Sequence, residues 1–122
     1  MKRIFYALSA AFLIASPLLG YTFTVTNNTD GQIVAGLRFE DLFGLFCPKP
    51  GEHQVQVNPG QSATLGHGAC CANLVTIEAI SGKAKGQKIE RLPRTGDGGS
   101  GTACNDFSYT VSNTPEGKLA IK

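Results

Sequence analysis

The residues best equipped for chemistry crowd into one short stretch. His67-Gly68-Ala69-Cys70-Cys71, with His53 upstream, gathers two imidazoles and two thiols around a turn. Ligands of this softness suit zinc or copper. A Cys near a His is also the raw material of a thiolate nucleophile, with Asp97 or Asp106 as the orienting acid. Two features weigh against both readings. The spacing follows no finger pattern, and neighbouring side chains on a strand point to opposite faces, so Cys70 and Cys71 do not readily reach one ion. No Gly-x-Ser-x-Gly elbow occurs, and the acid pairs Glu40-Asp41 and Asp97/Asp106 cannot be placed across a substrate from spacing alone. We therefore expect no catalytic residues, no cofactor and no metal, with His53, His67, Cys70 and Cys71 as the competing metal set.

The more economical use of the thiols is structural. Cys47, Cys70, Cys71 and Cys104 make an even count, which permits three pairings. A bridge between the neighbours Cys70 and Cys71 closes a strained ring and ranks last. Cys71 shares strand parity with Val75, Ile77 and Ala79, which turns it toward the core. That parity favours Cys47–Cys71 with Cys70–Cys104, although a single bulge would exchange the partners.

Three segments could serve as contact surfaces. Leu42-Phe43-Gly44-Leu45-Phe46 is an apolar run in loop-like surroundings, suited either to cover an open end of the core or to touch a membrane or protein. Lys83, Lys85, Lys88, Arg91 and Arg94 form a basic strip relieved only by Glu90. Such a strip can hold an anionic surface, but lysines on an edge strand also block edge-to-edge aggregation. Thr95-Gly96-Asp97-Gly98-Gly99-Ser100-Gly101 is a glycine-rich loop that lacks the Lys-Ser/Thr ending of a phosphate loop and the full pattern of a calcium loop. Asn27-Asn28-Thr29 is a glycosylation sequon, meaningful only in a host with the machinery.

The chain that positions these groups begins as if for export. Met1-Lys2-Arg3 is cationic, Ile4 to Leu19 is almost wholly apolar, and small residues follow. The run is shorter than the roughly 20 residues of a spanning helix and reads as a signal peptide over residues 1–20, removed to start the mature chain near Tyr21. The full chain of 122 residues carries a net charge of +2. Removal of the leader takes Lys2 and Arg3 and no acidic residue, so the mature chain is neutral and no nucleic-acid partner is expected. The expected location is secreted, extracellular or periplasmic, where disulfides persist.

Residues 21–122 read as one domain of period-two text. Tyr21 to Thr26 alternates large apolar residues with Thr; Ile33, Ala35, Leu37 and Phe39 recur every second residue. The turn at Asn27–Gly31 between them predicts a hairpin with Phe23, Val25, Ile33, Ala35 and Leu37 on one face. Further strands are expected over 53–57, 62–65, 74–80, 87–92 (an edge), 107–112 and 119–121, with a tight turn at Asn58-Pro59-Gly60. No amphipathic helical spacing follows the leader. The expectation is an all-β fold: a small, single-domain, disulfide-stapled antiparallel β-sandwich of about seven or eight short strands, with a partly open barrel as the alternative.

Function follows only at the level of class. The pattern favours a secreted binding or interaction module of unspecified ligand, with a protein, a glycan or a membrane surface as the partner classes. A membrane-active protein using residues 42–46 and 83–94 is the first competing reading, and a small secreted hydrolase or metal-dependent enzyme the second. If the thiols are all bridged, titration of the denatured, non-reduced protein finds essentially none; two reactive thiols per chain would restore the metal and nucleophile readings.

Overall fold

The computed structural model describes residues 21–40, Cys47 and 53–122, with Glu40 described by its backbone alone. The leader and the apolar run 42–46 lie outside the described residues. Eight strands follow one another: β1 (Tyr21–Asn28), β2 (Ile33–Glu40), β3 (Gln54–Val57), β4 (Ser62–Gly68), β5 (Cys71–Ala79), β6 (Lys88–Arg91), β7 (Phe107–Asn113) and β8 (Leu119–Ile121). They form two four-stranded sheets, β4-β1-β7-β8 and β3-β2-β5-β6. The protein is an all-β sandwich. No helix among the described residues is long and apolar enough to cross a membrane.

The alternation of the text becomes the two faces of each sheet. Phe23 and Val25 of β1, Phe107, Tyr109 and Val111 of β7, and Leu119 of β8 turn inward from the first sheet. Ile33, Ala35 and Leu37 of β2 and Val75, Ile77 and Ala79 of β5 meet them from the second. Phe23 stacks on Phe107, its register partner, with ring centroids 4.9 Å apart, and Tyr109 meets Phe23 edge-on at 6.2 Å. The residues between point outward. Thr24 bonds Thr64 at 3.1 Å and Thr26 bonds Ser62 at 2.8 Å, so the outer surface of β1 and β4 is a hydroxyl ladder that needs no cover from solvent.

Two expectations about connectivity are corrected. β1 and β2 do not form a hairpin: β1 pairs with β4 and β7, and β2 pairs with β3 and β5. The apolar residues of both strands do enter one core, but from opposite sides of it. A shared hydrophobic face cannot distinguish neighbours in a sheet from partners across a sandwich. In addition, β1 and β7 run parallel, while every other strand pair is antiparallel. Both start from the same end of the sandwich, where Asp106 Oδ1 accepts a hydrogen bond from the Thr22 N–H at 2.7 Å.

The crossing from β1 to β2 is held by Asn27, which is 0% exposed. Its Nδ2 donates to the carbonyls of Gly31 at 2.8 Å and Val57 at 2.9 Å. Its Oδ1 accepts from the Thr29 N–H at 2.9 Å and the Thr29 hydroxyl at 2.6 Å. That is the full capacity of a primary amide. Gly31 passes so close to the neighbouring turn that a Cβ there would lie 2.1 Å from the Ser81 carbonyl oxygen, which only glycine avoids. The sequon is thus spent on structure: a glycan on Nδ2 would displace one of these bonds and would need space that a fully buried side chain lacks. Asn27→Ala takes the side-chain partner from the Val57 carbonyl and the Thr29 N–H in the interior, while the Gly31 carbonyl keeps the Thr29 hydroxyl at 2.9 Å. At about 1–3 kcal/mol for each buried group left unpaired, chemical denaturation is expected to show a loss of about 3 kcal/mol, whereas a loss below about 1 kcal/mol, the size of an ordinary surface substitution, would contradict this role.

Candidate functional site

The cysteines that looked like ligands are bridged, Cys47 to Cys70 and Cys71 to Cys104. No described cysteine is free. This is the exchanged pairing, and a bulge causes it. Arg38 pairs with Leu74 and Phe39 with Ala72, so Asn73 is an extra residue in β5. Ala72, 0% exposed, takes the inward place, and Cys71 turns out of the core. The chain around Ala103 then pairs antiparallel with Ala72, exchanging N–H···O bonds of 2.9 and 2.7 Å. Their flanking residues, Cys71 and Cys104, become a directly opposed pair with Cα atoms 4.4 Å apart. A non-hydrogen-bonded antiparallel pair has that separation, which side-chain sulfurs can span. Cys70, one residue back in the turn from β4, is left for Cys47.

The metal set His53, His67, Cys70 and Cys71 therefore loses both thiolates, and the thiol nucleophile goes with them. No group of three or more His, Cys, Asp or Glu side chains suited to a metal gathers among the described residues. The candidate acids are engaged elsewhere. Asp97 Oδ1 accepts the Thr95 hydroxyl and the Gly99 N–H, which together hold its carboxyl below the usual carboxylate range, the hydroxyl contributing most. Asp106 is the tie to Thr22 described above. Asp97 thus organises its own glycine-rich loop.

The basic strip divides among three settings. Lys83 and Lys85 line one depression with Lys118 and Glu116. Lys88 and Arg91 sit on β6, an edge strand as expected, where the Arg91 guanidinium donates to the Glu90 carbonyl at 2.8 Å. Arg94 lies over the Tyr109 ring at 4.7 Å, and Tyr109 in turn donates its hydroxyl to the Leu92 carbonyl. Of the run Leu42, Phe43, Leu45 and Phe46, only its neighbour Cys47 is described.

What the structure does bring together are the two histidines, in surroundings the sequence did not signal. His67, on β4, is 5% exposed and sits among Tyr21, Phe39 and Phe107, with ring centroids 5.7, 6.1 and 6.1 Å away. His53 packs on Phe39 at 5.4 Å. With Cys47, Gly66, Gly68, Ala69 and Cys70 these residues line a mainly apolar pocket of about 390 Å³. Each imidazole has one nitrogen on a backbone carbonyl: His53 Nε2 lies 2.7 Å from the Gly66 oxygen, and His67 Nδ1 lies 2.6 Å from the Cys70 oxygen. A carbonyl only accepts, so the bonded nitrogens carry the protons. In the neutral ring His67 Nε2 is then a bare acceptor, and it is buried with no hydrogen-bond partner. Burying such a group without a donor costs free energy, and most native buried polar atoms are paired.

Comparison with protein-family models, with curated proteins and with solved structures finds no match for this chain. The site therefore stands on its geometry. Partial reduction followed by alkylation should label Cys47 together with Cys70, and Cys71 together with Cys104; labelling of Cys47 with Cys71 would refute the role given to the Asn73 bulge.

Proposed function

We propose that the protein is an exported, disulfide-stapled β-sandwich that works by binding, with the pocket beside the Cys47–Cys70 bridge as its contact site. The observation that carries this reading is that His67, whose buried Nε2 has no hydrogen-bond partner, lines a mainly apolar pocket. Small-molecule sites are typically apolar concavities of roughly 300–1,000 Å³ with a few placed polar groups, and this pocket falls in that range. Its walls favour a ligand with an apolar or aromatic body, and His67 favours one that also supplies a hydrogen-bond donor. Export is supported by the leader-like residues 1–20 and by two disulfides, which fit an oxidising environment.

A binding role also makes sense of the bridges. A domain of this size has only about 5–15 kcal/mol of stability, and each bridge can add roughly 2–4 kcal/mol. The Cys47–Cys70 bridge forms part of the pocket wall, so the same bond that stabilises the fold also holds the wall in place.

Phenol and toluene separate the two elements of recognition, since they share a ring and differ by one donor. In a titration followed by amide chemical shifts, both should perturb Phe39, His53 and residues 66–70 saturably. Phenol should bind about three- to tenfold more tightly, the net worth of roughly one hydrogen bond. His67→Phe keeps the aromatic cluster and should abolish the preference while sparing toluene binding. Shifts that scatter over the surface, or an unchanged preference in the variant, would refute the site.

A further inference from the structure

Gly36 occupies an unusual place, the middle of an interior strand. β2 runs between β3 and β5 with Ile33, Ala35 and Leu37 turned to the core, so Val34, Gly36 and Arg38 face outward. Glycine in such a position weakens a strand and commonly marks a close approach. Here a Cβ would stand 2.8 Å from the Thr76 hydroxyl and 3.5 Å from Gln54 Cβ. A depression of about 240 Å³ lies beside it in the outer face of the sheet, with Gly36 and Leu37 among the lining residues.

Most of the lining residues carry donors. Beside Gly36 and Leu37 stand Arg38, His53, Gln54, Thr76 and Lys88, so residues bearing a guanidinium, an ammonium, an amide and a hydroxyl line it from four strands or their ends. Among the described residues no carboxylate lines it. Glu78 stands across from Lys88 in the β5–β6 register, and Glu90 across from Thr76. Even so, neither Arg38 nor Lys88 makes an ion pair among the described residues. Two cations thus line the depression with no described carboxylate within ion-pair distance of either, although Glu78 and Glu90 share the same outer face.

We propose that this depression over Gly36 is an oxyanion site, binding a single sulfate, phosphate or carboxylate group of a small ligand. A guanidinium presents a planar fork matched to such groups, and an ammonium adds a compact charge. The volume lies below that of sites for drug-sized molecules, which suits one anionic group with little attached. The charge and amide donors come from β2, β3 and β6, which are distant in sequence, so the site is a property of the sheet. This site goes beyond the apolar pocket described above. The two share only His53 among their lining residues.

The test is a chemical-shift titration of the disulfide-bonded protein with sulfate, phosphate and acetate, at ionic strength held constant with chloride salt. At least one anion should shift the amides of Gly36, Gln54, Thr76 and Lys88 saturably, and the tightest of the three identifies the group recognised. Arg38→Gln and Lys88→Gln should each weaken that binding about tenfold, as expected for loss of a charge-assisted hydrogen bond. Lys118→Gln removes the same charge outside the depression and should change it less than about twofold, as for a screened surface charge. Shifts that follow all lysines and arginines alike without saturating would overturn the site, as would Arg38→Gln and Lys88→Gln variants indistinguishable from Lys118→Gln. The anion result stands whether or not phenol enters the apolar pocket, so failure of one site is distinguishable from failure of the other.

Discussion

The Asn27 amide is the constraint on which the sandwich depends. At that point the chain leaves one sheet and enters the other, and the crossing exposes backbone groups that no ladder can pair. Asn27 reaches the carbonyls of Gly31 and Val57, at the start of β2 and the end of β3, while it receives the Thr29 N–H and hydroxyl. Its own backbone N–H and carbonyl join Gln61 and Gly60, on the approach to β4. One residue therefore ties two connections, β1–β2 and β3–β4, at one end of the core. Neighbouring polar contacts extend the corner: the Asp30 carboxylate accepts from the Lys83 N–H, and the Asp30 N–H donates to Asn113 Oδ1. With the sheets aligned at this corner, Phe23 and Val25 oppose Ile33, Ala35 and Leu37 across the core.

The opposite end is closed by covalent bonds and aromatic packing. The Ala72–Ala103 bridge and the two disulfides anchor the long connection before β7 and tie Cys47 to Cys70. The hidden variable there is the Asn73 bulge. Without the extra residue, Cys71 would have lain on the face of Val75 and Ile77 and shared their core. With it, the small side chain of Ala72 fills the inward position, and both Cys70 and Cys71 meet partners away from the core. The same end collects Phe39, His53 and His67 into one pocket, so fold stabilisation and the candidate site draw on the same few residues.

The two candidate recognition surfaces differ in physical character. The pocket beside Cys47–Cys70 is mainly apolar, with a buried acceptor. The depression over Gly36 is more polar and is lined by Arg38 and Lys88. The outer face of β1 and β4 offers neither, since its hydroxyls bond one another across the strands. Burial and charge thus distinguish the surfaces of a molecule whose strands look alike in sequence.

Period-two alternation was enough to locate eight strands and to name most of the core, because strand formation and burial are local consequences of which residues alternate. The even count of cysteines likewise pointed to bridges, and the edge character of 87–92 was legible in its charges. Partner choice was not. Phe23 and Ile33 obey the same alternation whether their strands are neighbours or face each other across the core, so the β1–β2 crossing and the parallel β1–β7 pair were settled only by packing. The disulfide pairing turned on one extra residue, Asn73, which leaves no mark in composition. The meeting of His53 with His67, and of Gly36 with Arg38 and Lys88, required strands distant in sequence to lie side by side. Local patterns determine which face a residue shows; only the assembled sheets determine what it meets there.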